Sequence, residues 1–261
     1  MNNVKLITKQ FGDNAENYVK SEMHAKGLDL QYLVQQIKKN KNNRLLDIAT
    51  GGGHVANTLA PFFKSVVALD LTERMLEKAK EFIITNGHKN VSFVTGNAED
   101  LPFPEASFDT IVCRVAAHHF PNPSQFVHEV HRTLEENGLF ILIDNVSPEN
   151  EEYDTFYNFI EQKRDPSHRR ALKKTEWISQ LDQSGFHIRS CLTFEKHFNF
   201  DSWCDMMQVP LQTRTMLTEY MTKTSKEIKE FFKIEIENQK VKSFYAETAV
   251  FIYQRTNTLQ R

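Results

Sequence analysis

Leu45-Leu46-Asp47-Ile48-Ala49-Thr50-Gly51-Gly52-Gly53-His54 is the stretch that decides the fold. Residues 44–49 are an apolar run of strand length, three glycines follow, and residues 54–63 resume with helical spacing. Glycines between a strand and a helix remove the Cβ atoms that would hold a ligand away from the backbone. Such a turn also aims N–H groups at the carboxyl end of a sheet, where open α/β sheets bind ligands. Downstream the alternation continues. Strands are predicted at 65–69, 91–95, 108–114 and 138–146, with helices at 72–86, N-capped by Thr72, and at 123–134. This rhythm predicts a parallel sheet with helices on both faces.

Outside that core the pattern changes. Residues 13–38 are helical in spacing, divided at Gly27 and Asp29, and 39–43 form a polar loop. After Val146, helices are expected at 149–165 and 175–184, a strand within 186–198, a helical stretch over 201–232 and a last strand at 247–254. Two late strands separated by helices predict an antiparallel pair at one sheet edge, with the insertion as a lid. The expected organisation is one domain, 1–261. It comprises a helical cap (1–40), a cofactor-binding core (41–146), helices and a strand (147–197), a helical insertion (198–243) and a final strand with tail (244–261).

Composition bounds the function. Lys and Arg total 32 against 34 Asp and Glu, so no basic excess exists to neutralise a phosphate backbone, and nucleic acid is not an expected partner. The apolar runs are too short to span a bilayer, so no integral membrane association is expected. Three cysteines without CxxC spacing fit reduced thiols in a cytoplasmic protein. His128-Glu129-Val130-His131 lacks the i, i+4 histidine spacing of a zinc helix, so no metal site is expected and a surface helix is the reading.

The chemistry gathers at the strand ends. Asp70 follows the second strand, about 20 residues past the glycines, where an acid accepts hydrogen bonds from ribose hydroxyls. The alternative is a cap for the next helix. Gly51-Gly52-Gly53-His54-Val55-Ala56 also fits a dinucleotide fingerprint, leaving a nicotinamide-dependent oxidoreductase open. Asp47 speaks against it. A carboxylate inside the first strand repels a pyrophosphate and suits a cationic ammonium or sulfonium.

Asp47 to Gly53, Asp70, and Gly96-Asn97-Ala98-Glu99-Asp100-Leu101-Pro102-Phe103 followed by Phe108-Asp109 resemble a class I S-adenosylmethionine-dependent methyltransferase. The ubiquinone/menaquinone-biosynthesis small-molecule type is the flavour. The resemblance covers residues 11–146 in sequence and the remainder by architecture. It implies a Rossmann-like, doubly wound α/β fold: a seven-stranded sheet, mostly parallel, with an antiparallel edge strand. A helical insertion between the last two strands is part of the expectation. The implied cofactor is S-adenosyl-L-methionine, the product S-adenosyl-L-homocysteine, and the partner a small-molecule acceptor. By the same resemblance Asp47, Ala49, Gly51 and Gly53 line the methionine part of the cofactor. Asp70 holds the ribose, Leu71 lies beside the adenosine with Met75 nearby, and Asn97, Ala98 and Glu99 edge the adenine. Arg114 offers its backbone carbonyl to the amino group. Two departures stand out. Ala49 replaces a usual glycine, a small change if its φ is negative, and Asn97 replaces a usual aspartate. A non-catalytic nucleoside-binding module is the reading these departures would favour.

Catalytic candidates come last. His118 and His119 follow the fourth strand, where a histidine takes a proton from the acceptor or simply packs under the lid. Tyr18 and His24, in the N-terminal helical segment, are candidates for acceptor contacts. Trp203, Met206, Met207, Met216 and Met221 either line an adaptable apolar pocket or form core. The expected activity is methyl transfer to a small, partly apolar acceptor by in-line displacement.

Overall fold

The computed structural model describes residues 6, 8, 11–12, 27–38 and 43–256. Five parallel strands form its centre: β1 (Arg44–Ile48), β2 (Ser65–Asp70), β3 (Val91–Thr95), β4 (Phe108–Arg114) and β5 (Leu134–Val146). Three more follow: β6 (Phe186–Asn199), β7 (Glu235–Glu237) and β8 (Lys240–Arg255). The path across the sheet is β3-β2-β1-β4-β5-β8-β6, with β8 antiparallel to both β5 and β6. The chain leaves β1 toward β2 and β3 on one side and returns to β4 and β5 on the other. The carboxyl ends of β1 and β4 therefore flank a switch in strand order, where this kind of sheet opens a crevice.

Period-two alternation splits the apolar residues between two layers. Leu46, Ile48, Ile111, Cys113, Phe140 and Leu142 pack on one face beneath α4 (Pro123–Thr133) and α6 (Lys174–Gln183). Leu45, Val66, Ala68, Val112, Ile141 and Ile143 pack on the other, beneath α1 (Leu28–Ile37), α2 (His54–Leu59) and α3 (Glu73–Thr85). A third apolar cluster joins α5 (Glu151–Arg164) to the insertion, formed by α7 (Phe200–Met206), α8 (Leu211–Lys223) and α9 (Lys226–Phe231). Trp203, Met207 and Met221 are buried in that cluster and Met206 and Met216 pack against it, so all five residues of that group contribute to core. Cys113, Cys191 and Cys204 are free thiols. No helix among the described residues is long and apolar enough to cross a membrane.

The structure corrects several boundaries. An eighth strand, β7, joins the expected seven, because Asn238 and Gln239 take φ of 50° and 61° and turn the chain back onto β8. The last strand starts at Lys240 rather than 247, its early part hidden in the sequence by polar residues on its exposed face. The helix expected over 54–63 ends at Leu59 and tightens into a 3₁₀ turn over Ala60–Phe62, where Pro61 has no N–H to donate. Thr72 sits at the N-cap of α3, but its side chain makes no capping hydrogen bond. The predicted helix before Gly27, with Tyr18 and His24, lies outside the described residues. Helix 128–131 is not a plain surface helix: Glu129 is buried and accepts from the Leu101 N–H at 2.8 Å, while Arg132 donates to the Leu101 and Phe103 carbonyls. Together they pin the 97–103 loop to α4.

One ion pair fastens α1 to the sheet. Asp29 and Arg114, side chains 2% and 5% exposed, meet at 2.6 Å. Burial alone would raise the Asp29 carboxyl, but the hydrogen bond and charge of Arg114 hold it below the usual carboxylate range. Removing one partner of such a pair leaves a buried charge uncompensated. Asp29→Asn should therefore destabilise the protein by about 3 kcal/mol in urea-denaturation midpoints, and a change under about 1 kcal/mol would mean that water replaces the lost carboxylate.

Candidate functional site

Two cavities meet at the carboxyl ends of β1, β4 and β5. The first has a volume of about 1070 Å³, open space at its mouth included, and is lined by the glycine turn, the end of β2, the 96–99 loop and residues 114–116 and 119–121. Phe11 closes one wall. The second, about 990 Å³, lies between residues 115–119, α5, the end of β6 and α7. Val115 and His119 line both.

Two buried carboxylates organise the first cavity. Asp47, 1% exposed, accepts from the Thr50 hydroxyl at 2.6 Å and from the Ala56 N–H at 3.1 Å. Burial pushes its pKa up to about 7, against the opposing pull of Thr50, Ala56 and the Arg114 charge. Asp70 accepts from the Gly51 N–H and the Thr72 N–H, each at 2.9 Å, and burial raises its carboxyl too. It thus cross-links the glycine turn to the start of α3. The helix-cap and ligand readings of Asp70 are compatible, since each carboxylate oxygen keeps a further lone pair.

Of the residues singled out from sequence, Asp47, Ala49, Gly51, Asp70, Leu71, Met75, Asn97, Ala98, Glu99 and Arg114 all line this cavity. Gly53 does not. Its φ is 82°, and a Cβ there would stand 3.0 Å from Ala79 and Ile83, so the glycine serves close packing of the turn on α3. Ala49 takes φ of 53°, not the negative value on which its mildness as a replacement for glycine rested. The left-handed region costs alanine about 1–2 kcal/mol, so this turn carries strain that a glycine would not. Asn97 uses its side-chain oxygen to accept from the Glu99 N–H at 3.0 Å, closing its own loop. Glu99 in turn accepts from the Asn122 N–H at 2.6 Å.

The segment after β4 builds the junction. Val115 takes φ of 55°, which a β-branched residue rarely adopts, and its N–H donates to the Ile143 carbonyl at 2.6 Å. The chain is thereby thrown off the sheet, bringing three histidines together with Asp144 and Asp165. His118 donates its N–H and Nδ1–H to the two oxygens of Asp144, at 2.8 and 2.6 Å. Burial opposes a charge on His118, but the Asp144 carboxylate outweighs it and raises the imidazole. The His119 ring lies 4.1 Å from that of His118, and Phe11 meets it edge-on at 4.9 Å. Burial, then the charge on His118, pushes His119 down to about 4. The same two causes, with His119, push His168 to about 2.

The tautomer of His119 follows from its partners. Ser167 has one hydroxyl proton and donates it to Asp165 Oδ1 at 2.6 Å. The 3.2 Å contact between Ser167 Oγ and His119 Nδ1 must then be donated by the imidazole. Nε2 is left with its lone pair, 4.0 Å from Asp165 Oδ2. A proton arriving at Nε2 would face a carboxylate.

Asp144, Asp165, Ser167 and Lys196 were not singled out from sequence, nor was Asp29 as a pairing residue. Asp144 alone carried a signal, as a carboxylate ending the apolar run 139–143. Trp203 and Met206 do line the second cavity. Among the described residues no group of three or more His, Cys, Asp or Glu side chains is placed to hold a metal ion.

A sheet with this switch point, a glycine turn and two buried acids at consecutive strand ends defines a nucleoside-binding α/β enzyme class. Comparison with known proteins gives the family. Residues 46–142 match the family model described as a methyltransferase domain. Over 222 residues the chain is 34% identical to the uncharacterized methyltransferase YcgJ of Bacillus subtilis (strain 168), covering 85% of this chain and 88% of that one. A candidate methyltransferase from Bacillus halodurans C-125 superposes with a TM-score of 0.86 at 44% identity, over 88% of this chain and 100% of that one. The ubiquinone/menaquinone biosynthesis C-methyltransferase UbiE of Rickettsia bellii is 29% identical over 59% of this chain and 66% of its own length. The chain belongs to the S-adenosylmethionine-dependent methyltransferases, which sets the nicotinamide-dependent reading aside.

The histidine cluster has a titration signature. In a histidine-selective NMR titration His119 should stay neutral down to about pH 4, and His118 should stay protonated above its ordinary 6.5. His118→Gln should move the His119 midpoint upward, because the neighbouring cation is gone; an unmoved midpoint would remove His118 as its cause.

Proposed function

We propose that the chain transfers the methyl group of S-adenosylmethionine to a small, partly apolar acceptor seated in the second cavity, by in-line displacement across the Val115–His119 junction. The observation that carries this reading is that both residues line both cavities, so a donor in one and an acceptor in the other would face each other there.

The donor set of the first cavity fits the cofactor. Two buried carboxylates and a turn open to close approach suit a nucleoside with a cationic end, and Leu69, Leu71, Met75 and Phe120 provide an apolar wall. In this reading Asp47 and the Arg114 carbonyl hold the amino group, with Ala49 and Gly51 along the methionine part. Asp70 takes the ribose hydroxyls on its remaining lone pairs. Leu71 and Met75 flank the adenosine, and Asn97, Ala98 and Glu99 edge the adenine. Gly53 keeps the turn tight without touching the ligand.

When bound, the cofactor supplies a methyl group already activated on a sulfonium. What remains for the chain is alignment and dehydration, and orientation alone supplies up to roughly 7–11 kcal/mol in favourable cases. His119 stays unprotonated at neutral pH and presents Nε2 at the junction, in place to accept the proton of an acceptor hydroxyl, amine or thiol. Asp165 would then offset the new imidazolium charge, with Ser167 holding the opposite nitrogen. The insertion, through Trp203 and Met206, would shield the acceptor from water.

Calorimetric titration with S-adenosylhomocysteine tests the donor half. Native protein should bind it at micromolar levels and Asp70→Ala at least about tenfold more weakly, given roughly 1.5–3 kcal/mol for each hydrogen bond to a charged group. Binding indifferent to Asp70→Ala would refute the ribose assignment. Methyl transfer to a panel of phenols, amines and thiols tests the other half: His119→Ala should slow any accepted substrate by about 10²-fold.

A further inference from the structure

In the second cavity two hydrogen-bond acceptors face each other with no hydrogen between them. Asp165, 2% exposed, uses Oδ1 to accept from both the N–H and the hydroxyl of Ser167, at 2.8 and 2.6 Å. Its Oδ2 has no hydrogen-bond partner among the described residues and stands 4.0 Å from His119 Nε2. That nitrogen carries a lone pair, because Nδ1 keeps the imidazole proton and donates it to Ser167 Oγ. Both residues line the cavity. A buried carboxylate oxygen and a buried imidazole lone pair are each costly to leave without a donor.

A nitrogen with two hydrogens answers both, since acceptors 4.0 Å apart can each lie about 2.9 Å from one donor atom. A hydroxyl or a thiol has a single hydrogen and would leave the other acceptor facing a lone pair. Charge points the same way. Glu161 and Asp165 share the cavity wall with Arg164 and Lys196, and Asp144 holds the His118 cation, so no surplus charge calls for an ionic acceptor. Phe198, Trp203 and Met206 supply an apolar side that suits an aromatic ring. We propose that the acceptor of the second cavity is a neutral aromatic amine, its two N–H bonds directed to Asp165 Oδ2 and His119 Nε2 and its lone pair left toward the first cavity. This rests on the reading of the second cavity as the acceptor site. The nitrogen lone pair forms the new N–C bond as the S–C bond breaks, and the electron pair of that bond stays on sulfur in S-adenosylhomocysteine. The proton leaves the nitrogen for His119 Nε2, beside the Asp165 carboxylate, and passes on to solvent. An alkylamine does not suit this base: held at about 4, His119 is too weak to take a proton from an alkylammonium, whose pKa is about 10.

The test uses matched probes: 4-ethylaniline, its N,N-dimethyl derivative and 4-ethylphenol, titrated calorimetrically with and without S-adenosylhomocysteine. Native protein should bind the aniline at least about tenfold more tightly than either analogue. In Asp165→Asn an amide nitrogen takes the place of Oδ2 and turns an acceptor into a donor. The preference should then shrink to within about threefold while the dimethyl probe binds as before. Asp165 does not line the first cavity, so retained S-adenosylhomocysteine binding reports that the variant is folded. With S-adenosylmethionine, mass spectrometry should find the methyl group on the aniline nitrogen and none on the phenol. Equal binding of aniline and phenol to native protein would overturn the proposal whatever the variant does. A preference that survives Asp165→Asn, or methyl transfer to the phenol at the same rate, would overturn it too. The acceptor-site reading fails separately. An aniline preference that follows Asp165, in a protein that does not bind S-adenosylhomocysteine at all, would keep the amine site and discard methyl transfer.

Discussion

The Asp47 carboxylate is the constraint on which the site is built. It lies one residue before the end of β1, almost wholly out of water, and two of its hydrogen bonds, from Thr50 and Ala56, fold the glycine turn and fix the start of α2. Desolvation leaves it near the midpoint of its titration at neutral pH. Such a group is poorly satisfied alone and gains most from a cationic ligand. Asp70 repeats the arrangement one strand away, tying the same turn to α3. Strain accumulates around these acids, in Ala49 and Val115 at positive φ, as backbone is bent toward a common point.

Across the junction, charge is handed out one partner at a time. Three histidine rings share a small volume, and only His118 has a carboxylate within hydrogen-bonding distance. Burial, reinforced by its cation, keeps His119 and His168 neutral, which leaves His119 with the lone pair a proton acceptor requires.

Much of this was legible in the sequence because it depends on local order. The β1 turn, Asp70 and the 96–99 loop each follow a strand of readable period, so their convergence on one crevice follows from the parallel sheet. The parts that escaped depend on contacts between distant segments. Asp29 and Arg114 are 85 positions apart, and Ser167 reaches His119 across 48. Nothing in the local pattern around Asp165 marks it, because its role is set by Ser167 and by His119, which the fold brings to it. Ala49 shows a different limit: its identity was plain, but its φ is imposed by the turn that Asp47 closes.

Proton release on cofactor binding tests the role of Asp47 most directly. Binding a cationic amino group requires the ionised carboxylate, so a group with a pKa of about 7 should release about 0.9 proton at pH 6 and about 0.5 at pH 7. Calorimetry of S-adenosylhomocysteine binding in buffers of different ionisation enthalpy reads this number. The account predicts that release, diminishing above pH 8 and lost in Asp47→Asn. Binding with no proton exchanged between pH 6 and 8 would show that Asp47 is already ionised, or is not the group that meets the ligand, and would contradict the account.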